Sequence, residues 1–221
     1  MKKVQETKSP KNKSEKSTII TLVVIAIVVV IGIATYFIFF GAKTSNNPNI
    51  VNYNNYIFQK SADNQWYTQM QIRNTPYNIG FHYNPFEVQN VTYDSTYIAY
   101  NIKTFQSRHP DGNVYITVDP DASSKLVVAG VEIAKILGKA YNIYNFNVSS
   151  SITRAPQGFA GTYPIITCSN ATGDTMVVWM VVNKENRISM SNNCVIVESI
   201  SDNESSRVAD ALAFRLLDIM Q

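Results

Sequence analysis

Residues 19–40 read IITLVVIAIVVVIGIATYFIFF, 22 positions without a charge, and no other stretch limits so strongly what the chain can become. At about 1.5 Å rise per residue, a helix of that length reaches about 33 Å, enough for a bilayer hydrocarbon core of about 30 Å. A helix on the surface of a globular protein keeps a polar face. Here only Thr21, Thr35 and Tyr36 are polar, so lipid is the solvent that suits the run. Lys2, Lys3, Lys8, Lys11, Lys13 and Lys16 precede it, and Lys43 alone follows closely. That asymmetry places the N-terminus in the cytoplasm.

The expected organisation is a basic cytoplasmic tail (1–17), a signal-anchor transmembrane helix (18–41), a polar stalk (42–55) and an extracytoplasmic domain (56–221). A cleaved signal peptide needs a shorter apolar region and small residues at the cut, but Phe40-Gly41-Ala42 puts a bulky ring where a small side chain belongs. Charge then excludes one class of partner. The formal net charge is +3, and the first sixteen residues, with six lysines against Glu6 and Glu15, carry +4, leaving −1 for the rest. Nucleic-acid binding requires clustered Lys and Arg, so the expected partners are the lipid bilayer through residues 19–40 and an envelope protein or glycan, with no nucleic acid.

Within the domain, period-two alternation marks strands at Trp66 to Ile72 and Ile79 to Tyr83, punctuated by Thr75-Pro76 and Asn84-Pro85. VYITV at 114–118, a helical pattern over 122–139 and a further strand at 144–153 predict a βαβ unit, with Asp119 or Asp121 capping its helix. PIITCS (164–169), TMVVWMVV (175–182), RISM (187–190) and CVIVE (194–198) predict an antiparallel continuation. TMVVWMVV, apolar on both faces, belongs at the sheet centre. From Ser205 or Ser206 as cap, Val208, Ala211, Leu212, Leu216 and Ile219 recur at helical spacing. The fold class is therefore α+β or mixed α/β: a single sheet with a βαβ unit and a C-terminal helix packed on it, preceded by one transmembrane helix.

The succession VYITVDP, PIITCSNAT, NNCVIVE and ADALAFRLLDIM, downstream of a basic tail and signal anchor, resembles a group of uncharacterised single-pass membrane proteins of archaea. The resemblance covers most of residues 60–221. It implies an archaeal envelope location and a shared fold, and no activity.

The chemistry-bearing motifs are few. Gly-x-Ser-x-Gly, Ser-x-x-Lys and the phosphate-binding Gly-x-x-x-x-Gly-Lys-Ser/Thr do not occur. His82 and His109 are the only histidines, on different segments and without ligand-spaced companions, which reads as ordinary surface histidine. Asp119-Pro120-Asp121 follows a strand and precedes a helix, where a carboxylate can bind a cation or act as a base; helix capping explains the same residues. No catalytic, cofactor-binding or metal residue and no cofactor is assigned. Beyond the apolar run, Asn-x-Ser/Thr acceptors stand at Asn90, Asn147, Asn170 and Asn203. Asn90, Asn170 and Asn203 are the candidate glycosylation sites, since Asn147 falls in an expected strand.

Cys168 and Cys194 are the only cysteines. An extracytoplasmic address favours a disulfide between them; two buried, reduced cysteines acting as small hydrophobes are the rival. The expected function is a membrane-anchored extracytoplasmic binding or interaction module of the cell envelope. The alternative is an envelope-facing hydrolase or metal-dependent enzyme whose site the sequence does not advertise. A pocket with clustered, pKa-perturbed groups including Asp119, His82 or His109 would favour the enzyme, and a broad apolar or aromatic patch the binding module.

Overall fold

The computed structural model describes residues 47–158 and 161–220, together with Val29 and Val30. The tail, the expected anchor apart from those two residues, and the start of the expected stalk lie outside the described residues. No helix among the described residues is long and apolar enough to cross a membrane. Residues Asn47–Gln221 form one compact unit.

Among the described residues ten strands make two sheets, not the expected single one. The first is an antiparallel meander of β1 (Ile50–Tyr53), β2 (Tyr56–Lys60), β3 (Trp66–Ile72) and β4 (Thr75–Phe81). Its first and last hairpins close on pairs of left-handed residues, Asn54-Asn55 (φ 44° and 68°) and Arg73-Asn74 (φ 48° and 66°). Two-residue turns of this kind need positive φ at both positions, which Asn tolerates best after Gly. The Asn-rich stretch expected to be stalk up to residue 55 is thus strand and hairpin from Ile50 onward. Pro76, expected to break the run, sits inside β4, an edge strand where a missing N–H is tolerated.

The second sheet has the order β5-β9-β10-β8-β6-β7, from β5 (Thr92–Tyr93), β6 (Asn113–Val118), β7 (Asn147–Ile152), β8 (Thr175–Val182), β9 (Arg187–Ser191) and β10 (Cys194–Ser199). TMVVWMVV is central as its two apolar faces require. The expected antiparallel continuation is corrected: β8 runs parallel to both β6 and β10, and only β9 is antiparallel to β10. The reason lies in composition. CVIVES is largely buried and takes the place beside β8, whereas the half-exposed RISMS is displaced outward. PIITCS is not a full strand either; Ile165 makes a single parallel bridge to Ile152, and Cys168–Asn170 form a 3-10 turn.

Among the described residues three α-helices complete the domain: α1 (Ile98–Arg108), α2 (Ser124–Leu137) in the β6-α2-β7 unit, and α3 (Ser205–Leu216). The cap of α2 is Ser123, whose hydroxyl accepts from the Leu126 N–H at 3.4 Å, not Asp119 or Asp121. For α3 the cap position falls on Glu204, without a side-chain bond, not on Ser205 or Ser206. Phe214 of α3 meets Phe58 and Phe81 of the first sheet at 5.7 and 4.5 Å between ring centres, while α3 also packs on α2, β9 and β10. The helix expected to cover one sheet face is therefore the middle layer between two, and buries almost all round. Most of the core is one continuous apolar cluster drawn from both sheets.

Candidate functional site

Polar groups gather where the end of β4 meets α2 and α3. Asp210 is fully buried on α3 and accepts the backbone N–H groups of His82 and Tyr83, each at 2.8 Å. Burial, reinforced by the Glu132 and Glu87 charges, raises its carboxyl well above the usual range despite those donors. Glu132 on α2 is pushed up to about 7 by burial, with Lys135 opposing. His82 Nδ1 lies 2.8 Å from Glu132 Oε1, inside ion-pair range although not aligned for a hydrogen bond. Burial, then Lys135, lowers the imidazole pKa.

His82 is therefore not the ordinary surface histidine expected. Its companions come from elements distant in sequence. One signal pointed to Asp210: an acid set in an otherwise apolar helical stretch, VADALAF. Glu132 looks like a normal exposed helix position. The adjoining depression, lined by Gln65, Tyr67, Asn78, Glu132 and Asp210 among others, holds only about 160 Å³, room for a few waters. The two donors on Asp210 make it a clamp between β4 and α3.

Asp119 is held apart from this cluster. It accepts the Asp121 N–H at 2.9 Å and pairs with Arg154 at 3.1 and 3.2 Å. The backbone donor first, then Arg154, lowers its carboxyl pKa. Its carboxylate thus orders the turn after β6, with Asp121 on the same guanidinium. His109 rests on the Phe105 ring at 4.9 Å. Among the described residues no three His, Cys, Asp or Glu side chains gather to hold a metal ion. Asn90, Asn170 and Asn203 are all exposed; Asn170 Oδ1 accepts the Thr167 N–H at 2.9 Å and Asn203 accepts from Lys125.

Cys168 and Cys194 form a disulfide with Cα atoms 5.3 Å apart. It pins the 3-10 turn to the start of β10 and shelters a small second cluster around Ala171, Val177 and Trp179 on the sheet face away from the helices.

An open apolar groove lies at the β7 edge of the second sheet. α2 packs over β6 and β8, drawn close by Gly130, where a Cβ would come within 3.1 Å of Ile116 Cγ2. At the last strand, β7, the helix-facing positions are Val148 and the small Ser150, opposite Val114 and Ile116. The result is a groove of about 690 Å³ walled by Val127, Val131 and Ala134 on α2 and by Val148 and Ser150 on β7. Val127 and Val131 are each about half exposed (44 and 48 %). Among the described residues Lys135 and Lys139 are the only charged ones on its lining. The periodicity of α2 was legible in the sequence; the groove was not, because it depends on β7 being the sheet's edge. No family model matches this chain, and searches of curated proteins and of solved structures likewise found no match.

Proposed function

We propose that this chain is a membrane-anchored interaction module of the cell envelope, docking a partner protein in the groove between α2 and β7. The observation that carries the reading is that groove: apolar walls and exposed valines in a cleft of ligand-binding size. The Cys168–Cys194 disulfide supports an oxidising, extracytoplasmic compartment, and the apolar run of residues 19–40 supports anchorage. The test is a photo-crosslinking side chain at Val131 in the full chain, activated in native membranes, with one at exposed Gln89 as control. Protein adducts specific to position 131 are expected; labelling no different from the control would overturn the reading.

A hydrolytic reading has one observation in its favour, the buried Glu132 carboxyl near pKa 7 beside His82. Its test is turnover of envelope-type ester, peptide or glycoside substrates that Glu132→Gln abolishes while the fold persists.

A further inference from the structure

The backbone of β7 has one side already engaged and one open. The N–H groups of Asn147 and Thr153 reach inward to Gly112 and Val118 of the β6 side, at 3.3 and 3.0 Å. Ile152, an odd number of residues from both, is out of phase with them and points outward: its N–H donates to Pro164 at 3.1 Å and its C=O accepts from the Ile166 N–H at 2.9 Å. Strand alternation then turns the N–H and C=O of Val148 and Ser150 outward as well. Among the described residues β7 has no neighbouring strand on that side. Residues 164–166 thus show, at the far end of β7, how a parallel segment attaches to this edge.

We propose that the groove takes an extended peptide segment of a partner protein, which adds as a strand to the free edge of β7 and presents a carboxylate to Lys135 and Lys139. The proposal rests on the interaction reading and states its chemistry. A strand seated about 4.8 Å from β7 meets the four open backbone groups of Val148 and Ser150, and alternate side chains fall under α2. Those side chains should be apolar, since they would lie among Val127, Val131 and Ala134. The intervening ones would lie on the side of Ser149 and can be polar. Charge selects the partner: the lining has two lysines and no acid, so an acidic flanking residue is favoured and a basic one repelled. The same charge disfavours a second copy of this chain, which would bring Lys135 and Lys139 against their equivalents.

The experiment uses the full chain in detergent with end-blocked hexapeptides that alternate valine and threonine and finish in aspartate. Saturable binding is expected, with slowed hydrogen exchange at the Val148 and Ser150 amides. Replacing the aspartate by lysine, or methylating alternate peptide nitrogens to remove the strand donors, should weaken binding at least tenfold. Lys139→Glu lies on the exposed rim and leaves Lys135 balanced by one acid, so the preference for the aspartate peptide over the lysine peptide should be largely lost. Equal binding of the methylated peptide, unchanged exchange at Val148 and Ser150, or indifference of the parent chain to charge would overturn strand addition. If a position-131 crosslink still captures a protein while every peptide fails, the peptide proposal falls and the interaction reading stands. Capture of a second copy of this chain would also overturn the proposal, and loss of both signals removes both readings.

Discussion

Glu132 shows how one buried side chain ties stability to pH. In the unfolded chain it titrates near its ordinary value of 4.5, and in the fold near 7. The folded state therefore keeps a proton that the unfolded chain releases between those values. The associated stabilisation is fully present below about pH 4.5 and lost as pH rises through about 7. Asp210 works in the same direction, its carboxyl also raised by burial. His82, lowered by burial, works the other way, gaining stability as pH rises toward its ordinary value of 6.5. Glu132→Gln is neutral throughout. The variant is expected to melt above the parent at pH 8, to converge with it near pH 4.5, and to show a flatter dependence between. Melting temperature by calorimetry across that range checks it; an unchanged slope would mean that Glu132 is charged and hydrated in the fold.

At the scale of elements, what could be read from the sequence was whatever one element determines alone. The alternation of β3, the apolar run of β8 and the repeat of α3 each carry their own period. The pairing could not be read, because a parallel β8–β10 contact depends on β9 being the more exposed strand. α1 escaped notice since only Ile98, Ile102 and Phe105 bury along it, among polar neighbours. The caps failed where several Ser and Asp residues competed within a few positions. The middle-layer role of α3 sharpens its energetics. Phe214 is fully buried against rings of the first sheet, so Phe214→Ala should cost about 3–5 kcal/mol, out of a typical total of about 5–15 kcal/mol. Val128→Ala, at a half-exposed position on α2, should stay within about 0.5 kcal/mol. Urea unfolding of both variants decides the matter: equal midpoints would show that α3 is peripheral to the core.

For the whole molecule, the proposed topology and the disulfide bear on each other. With both cysteines bonded, a thiol reagent has nothing to label on the folded domain, and an amine reagent becomes the informative probe. Lys125, Lys135 and Lys139 are exposed on the domain, whereas Lys2, Lys3, Lys8, Lys11, Lys13 and Lys16 belong to the N-terminal tail. A membrane-impermeant amine reagent added to intact cells is expected to modify the first group and spare the second, and to reach both after lysis. Peptide mass mapping reads the two groups separately within one experiment. The same digest, run without reductant, should contain Cys168 and Cys194 in one linked species. Closing that 26-residue separation stabilises the fold by roughly 3 kcal/mol in the chain-entropy account, so reduction should lower the melting temperature of the domain. Domain lysines modified only in lysed cells would reverse the orientation, and the oxidising compartment that favours the disulfide would go with it.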